Sequence, residues 1–260
     1  MKVITSRENR IFRDLSRLTL RKYRDREGKF LAEGPNVAGE ALESSAVTVE
    51  NVFARSGSGY ETFTDDTIVL SEELFDSVSD TMASQGVIAV IDKPDRGTAE
   101  DALKDAAAQG NVLVLDRLQD PGNIGTVIRT AEGAGISACV FIKGTCDPFS
   151  PKVVRACAGS VLRMPLIFFD SAESFIEEAG KDGLTTAVTD VEKGKPYYDA
   201  GLTGGSHVAL VIGNEGNGVS DVFRENAKIL VNIPMKGNLE SLNAGIAAAL
   251  LMYELARPCR

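Results

Sequence analysis

From Asn111 onward the chain repeats one grammar: a short apolar run, a turn containing glycine, and a longer stretch with helical spacing. The apolar runs are VLVLD (112–116), ACVFI (138–142), PLIFF (165–169), LTTAVTD (184–190), HVALVIG (207–213) and KILVNIP (228–234). Runs with so little polar alternation have no face to offer to water, so they belong in a mainly parallel sheet covered by helices on both sides. NIGTVIRTAEGAG, PKVVRACAGS, SAESFIEEAGKDG, VSDVFRENA and SLNAGIAAALLMYELAR supply the helices, Pro151 opening the second of them. Sheets of this class bind ligands outside the carboxyl ends of their strands, so the strand-to-helix loops are where chemistry is expected.

The part before residue 95 has a smaller α/β grammar. A basic helix is followed by EGPNVAGEALES with Pro35 and Asn36 at a helix start. VTVENVFA alternates as a strand, TIVLSEELFDSV is a strand and an acidic helix, and GVIAVIDKP is a further strand. TAEDALKDAAAQG, between Pro94 and Gly110, reads as a helical connection. The expected organisation is a small α/β domain over 1–95, a linker over 96–110 and a second domain over 111–260. With 260 residues, 43% of them hydrophobic, both domains can bury a core without a disulfide or a structural metal. No apolar run approaches the roughly 18 residues of a membrane span, and no apolar signal follows Lys2, so a cytoplasmic protein with no membrane partner is expected.

A formal net charge of -9 argues against a nucleic-acid partner only while it is read as a sum. Residues 1–30 hold ten Lys+Arg against four Asp+Glu, and residues 31–260 hold 18 against 33. Arg7, Arg10, Arg13, Arg17, Arg21 and Arg24 follow at steps of three or four, which lines up one helix face. Guanidinium forks match phosphate oxygens, so this face is the candidate RNA contact. A solvated surface helix is the bland alternative. Cys139, Cys146, Cys157 and Cys259 form no CxxC pair and read as reduced thiols, and His207, the one histidine, reads as the start of a strand. No metal site and no histidine-based acid–base chemistry is expected.

Three glycine-bearing loops remain: DRLQDPGNIGTVIRTAEGAG (116–135), IGNEGNGVS (212–220) and IPMKGNLESLNAG (233–245). None fits GxGxxG after a strand or GxxxxGK[ST], which removes most support for dinucleotide or ATP binding. Taken together and in this order, the three loops resemble the motifs of the SpoU (TrmH-like) RNA ribose 2′-O-methyltransferases of the SPOUT superfamily. Asn123 and Arg129 stand at the matching places of the first motif, Glu215 lies in the second, and the SLN core of the third is Ser241, Leu242 and Asn243. Residues 1–90 are more loosely similar to the L30e-like substrate-binding domain carried by many members.

The resemblance implies an α/β chain whose C-terminal parallel-sheet domain forms a trefoil knot, binds S-adenosylmethionine and works as a homodimer; the long C-terminal helix, whose Ala-rich stretch AAALL allows close packing, is the expected dimer surface. It places cofactor contacts at Gly213, Ile233 and Leu242, with neighbouring backbone from Ile212, Pro234 and Met235. It makes Arg129 the central catalytic residue. A guanidinium is a poor proton acceptor, so Arg129 is expected to hold an RNA phosphate and the developing alkoxide, a phosphate or water taking the proton. Asn123 is expected to orient Arg129 or the ribose, Glu215 to fix the arginine, and Ser241 and Asn243 to shape the pocket and cap the last helix, with capping the stronger expectation for Ser241. Ribosomal RNA, 23S in particular, is the expected substrate. The alternatives are a tRNA ribose methyltransferase and a non-catalytic RNA-binding or ribosome assembly protein on the same fold.

Overall fold

The structure is a computed structural model describing residues 2–81, 83–95, 97–202, 207–237 and 241–258. Cys259, residues 203–206 before His207 and residues 238–240 of the third loop lie outside the described residues. The chain forms two compact units, one of residues 1–95 with 147–163, the other of residues 96–146 with 164–260.

The first unit contains β1 (Lys2–Ile4), α1 (Arg10–Arg17), α2 (Arg21–Glu27), β2 (Lys29–Glu33), α3 (Pro35–Glu43), β3 (Val49–Arg55), β4 (Ile68–Leu70), α4 (Glu72–Asp76) and β5 (Val87–Asp92). Its sheet has the order β1-β4-β3-β5-β2 and is mixed: β4 pairs in parallel with β1 and β3, and β5 pairs antiparallel with β3 and β2. Pro35 opens α3 as the sequence suggests.

The basic segment departs from the single helix expected. Phe12, Leu15 and Leu18 turn into the core, α1 ends at Arg17, and the backbone runs extended at Leu20 before α2 begins. Arg24 is the reason the break is stable. Its guanidinium donates to the carbonyls of Leu18 and Thr19 at 2.9 and 2.8 Å, which the end of α1 leaves unpaired, and to Asp147 Oδ2 at 2.6 and 3.1 Å. Arg24 is 3% exposed and cannot be an RNA contact. The remaining arginines are exposed, but most are answered by acids: Arg7 by Glu73 at 2.9 Å, Arg10 and Arg17 by Asp14 at 3.8 and 3.3 Å, Arg21 by Asp25 at 3.4 Å. These exposed pairs are weak and leave the cations open to a stronger anion.

Asp147 begins a stretch that sequence assigns to the second domain and the structure assigns to the first. Here α7 (Pro151–Ala156) packs on β2, and the short α8 (Ser160–Arg163) follows. Arg155 pairs with Asp80 at 2.9 Å, Arg163 with Glu40, and Phe149 packs against Phe30 with ring centroids 5.0 Å apart.

The second unit contains α5 (Ala99–Gln109), β6 (Val112–Asp116), α6 (Pro121–Gly133), β7 (Ala138–Ile142), β8 (Leu166–Phe169), α9 (Ala172–Lys181), β9 (Thr185–Thr189), β10 (Lys195–Pro196), β11 (Val208–Gly213), α10 (Asp221–Glu225), β12 (Ile229–Asn232) and α11 (Ala244–Ala256). Among the described residues its seven strands are all parallel, in the order β10-β12-β9-β11-β6-β7-β8. The sheet is buried on both faces: Val112, Leu113, Val114 and Leu115 are all 0% exposed. The expected linker 96–110 is not a tether, because α5 places Leu103, Ala106 and Ala107 in one core with Phe175 of α9 and Phe223 of α10. α6 and α11 pack on each other. His207 has φ +68° and its Nδ1 is 2.7 Å from Ala107 O, which fits its reading as the start of a strand. Cys139 is fully buried in β7, and burial pushes its thiol up to about 12. No helix among the described residues is long and apolar enough to cross a membrane, and none of those residues form a His, Cys, Asp and Glu cluster that could hold a metal.

Candidate active site

The strand order reverses beside β6: β7 lies on one side and β11 on the other. Asp116 and Gly213, the last residues of β6 and β11, are register partners, so the first and second glycine loops leave the sheet side by side. Asp116 is buried and its Oδ2 accepts from Ser220 N at 2.7 Å, which ties the far end of the second loop to the start of the first. The second loop closes as a tight hairpin, Asn214 N to Gly218 O at 3.0 Å and Gly218 N to Asn214 O at 2.9 Å. A Cβ on Gly213 would lie 2.3 Å from Gly218 C and Val219 N, so only glycine permits this closure. Asn214 Nδ2 donates to Arg117 O at 2.9 Å, joining the hairpin again to the first loop.

The three loops meet through side chains. Asp120 caps α6, its Oδ1 accepting from Asn123 N at 2.8 Å, and this cap with Pro121 starts the helix two residues before Asn123. Asn123, 9% exposed, donates from Nδ2 to Glu215 Oε1 at 2.9 Å. Its Oδ1 accepts from Asn243 Nδ2 at 2.8 Å. Asn243 Oδ1 in turn accepts from Gly245 N and Ile246 N at 2.9 and 3.3 Å. Asn243 is therefore the N-cap of α11, and the cap expected of Ser241 falls to it. Every bond runs the same way, from the positive end of α11 through two carboxamides to the Glu215 carboxylate, which also accepts from Gln119 N at 3.4 Å. The orientation of both asparagines is set by this chain.

The roles expected of Asn123 and Glu215 toward Arg129 are not what the structure forms. Both are committed to each other, while Arg129 stands exposed on α6 with no hydrogen bond or ion pair among the described residues.

Beside the network, at the carboxyl ends of β9, β11 and β12, lies a cavity of about 610 Å³. Ile212, Gly213, Glu215, Ile233, Met235, Ser241 and Leu242 line it, whereas Pro234, Asn123, Asn243 and Arg129 do not. Sequence reading missed the wall made by Thr189, Asp190, Val191, Glu192 and Lys193, with Asn232 and Arg224. The signal was present in Thr189 and Asp190 closing an apolar run, but that loop lacks the paired glycines of the others. Asp190 Oδ1 accepts from Glu192 N and Lys193 N at 2.9 and 2.7 Å, folding the segment into a turn. Asn232 Nδ2 donates to Gly194 O at 2.7 Å, and its Oδ1 is buried without a partner among the described residues. One wall is thus aliphatic and the other charged, which suits a ligand with an apolar ring and a charged tail. S-adenosylmethionine is such a molecule, and the volume falls within the roughly 300–1,000 Å³ of small-ligand sites.

Residues 110–253 match the SpoU rRNA Methylase family, and residues 9–89 match an MRM3-like substrate binding domain. The chain is 35% identical over 258 residues to the 23S rRNA (guanosine(2553)-2′-O)-methyltransferase RlmP of Bacillus subtilis (strain 168), covering 98% of this chain and 99% of that protein. Its fold is similar to an AdoMet-bound rRNA methyltransferase from Sinorhizobium meliloti, with a TM-score of 0.84 and 28% identity over 98% of this chain and 97% of that one. The SpoU methyltransferase AviRb from Streptomyces viridochromogenes in complex with AdoMet is similar at a TM-score of 0.79 and 27% identity, over 95% of this chain and 98% of that one. The chain therefore belongs to the SpoU rRNA Methylase family, the S-adenosylmethionine-dependent RNA ribose 2′-O-methyltransferases that its three loops resemble.

Proposed function

We propose that the protein methylates the ribose 2′-hydroxyl of a guanosine in 23S ribosomal RNA, as a cytoplasmic homodimer. The observation that carries this reading is the Asn243–Asn123–Glu215 chain, which draws three separated loops together beside the cavity. Ile212, Gly213, Ile233, Met235 and Leu242 hold S-adenosylmethionine, with Ser241 at the cavity wall. When bound, that cofactor supplies a methyl group on a positively charged sulfur. Arg129 holds an RNA phosphate beside the ribose and stabilises the negative charge developing on the 2′-oxygen, and a phosphate or water takes the proton. Asn123, Glu215 and Asn243 keep the loops in register and hold the N-terminus of α11 in place. The dimer reading is supported by α11, where Ile246, Leu250 and Tyr253 recur on one side at 53, 41 and 57% exposure. The trefoil chain path belongs to the same reading, with β11 entering between β6 and β9.

Mapping of 2′-O-methyl sites on total RNA from cells with and without the gene tests the substrate. Loss of one 23S guanosine methylation is expected, and a lost tRNA site or no lost site would refute the assignment. RNA is expected to meet the exposed arginines of α1. Changing Arg10, Arg13 and Arg17 together to Glu should weaken 23S fragment binding and reduce the slope of log affinity against log salt by about two to three. Unchanged affinity in filter binding would move the RNA contact elsewhere.

A further inference from the structure

Among the described residues lining the cavity there are two cations, Lys193 and Arg224. Lys193 sits on an exposed turn, where its ammonium is solvated. Arg224 is held differently. Its neighbour Phe223 is 0% exposed and anchors α10 in the core, so the arginine is carried on a fixed support. Its guanidinium lies 3.6 Å from Asp190 Oδ2 through Nε and 3.6 Å from Asp221 Oδ1 through Nη1. Both are too long to be hydrogen bonds. Asp190 has already spent Oδ1 on the turn of residues 190–193, and Asp221 is 86% exposed and solvated. Nη2 rests against the glycine hairpin, 3.0 Å from where a Cβ of Gly218 would stand. The result is a planar fork of donors held in two long ion pairs, with no hydrogen bond among the described residues, at the charged wall of the cavity.

Free carboxylates are the chemistry such a fork takes best, because two parallel N–H groups match two oxygens. The amino-acid tail of S-adenosylmethionine carries one, ionised at neutral pH. We propose that Arg224 is a cofactor-binding residue that receives the tail carboxylate of S-adenosylmethionine, with Asp190 holding the guanidinium in position from behind. The proposal rests on the cofactor reading above and goes beyond it by assigning the charged wall.

Calorimetric titration of the full chain with two ligands separates the possibilities. S-adenosylhomocysteine carries the tail, and 5′-methylthioadenosine keeps the adenosine and sulfur but lacks the carboxylate. Arg224→Ala should weaken S-adenosylhomocysteine roughly 10- to 100-fold and leave 5′-methylthioadenosine within about twofold. Arg224→Lys, which keeps the charge and loses the fork, should fall between. Equal loss of both ligands would show that Arg224 only supports the loops, and unchanged binding of both would remove it from the site; either overturns the proposal. If the unmodified protein binds neither ligand, the cofactor reading fails and the proposal with it.

Discussion

Arg129→Ala is expected to lower methyl transfer to 23S RNA by at least about 100-fold while S-adenosylhomocysteine affinity stays within about twofold. The two halves of that expectation have separate causes. Arg129 does not line the cavity, so removing it takes nothing from the cofactor. It is also exposed on α6 with its donors unspent among the described residues, so its truncation leaves no buried group unpaired and the fold should be unaffected. On the proposed mechanism, what is lost is a positive charge where negative charge grows during reaction. Single-turnover kinetics with saturating cofactor reads the first half, and calorimetry the second. Turnover near that of the unmodified enzyme would take Arg129 out of the mechanism and shift attention to the Asn243–Asn123–Glu215 chain.

Asp147→Ala is expected to destabilise the first unit by about 3–5 kcal/mol. Arg24 and Asp147 are both almost fully buried, with side chains 3 and 8% exposed. Deleting the carboxylate leaves a guanidinium in the interior with only the carbonyls of Leu18 and Thr19 to solvate it. Removing both charges together, as Arg24→Met with Asp147→Leu, should recover much of the loss, since the attraction of a buried pair largely repays its own desolvation. Denaturant unfolding of the single and double variants reads the difference. A single variant as stable as the parent would mean the pair is not closed in solution. If the exposed arginines of α1 meet RNA as proposed, the consequence reaches function, because Arg24 holds the turn between α1 and α2.

Arg24 shows where reading along a helix reaches its limit. Its place in the three-or-four spacing is the same as that of Arg13 or Arg17, and spacing cannot say that the helix ends at Arg17. The break depends on a carboxylate 123 residues away, which no local pattern contains. The same distance problem hid the assignment of 147–163, whose helical periodicity is correct and whose packing partner β2 lies more than a hundred residues earlier. In the candidate site the glycine loops were legible because backbone closure demands glycine, as the 2.3 Å clash at Gly213 shows. The Asp190 turn was not, since its backbone needs no special residue and its importance comes only from standing next to β12.

Local chemistry in the chain determined the parallel, doubly covered sheet, the loops that carry the site, and the polarisation of charge toward the first thirty residues. Each follows from a property that acts over a few residues: apolar runs that cannot face water, glycines that permit close backbone approach, and arginines at helical spacing. The tertiary structure decided which side chains meet. It turned Glu215 toward Asn123 instead of Arg129, made Asn243 the cap of α11, buried Arg24, and set Arg224 beside the cavity. Those outcomes depend on strand order, with β11 laid between β6 and β9, and strand order is a global property because parallel strands of similar apolar composition can pair with any neighbour that the chain path allows.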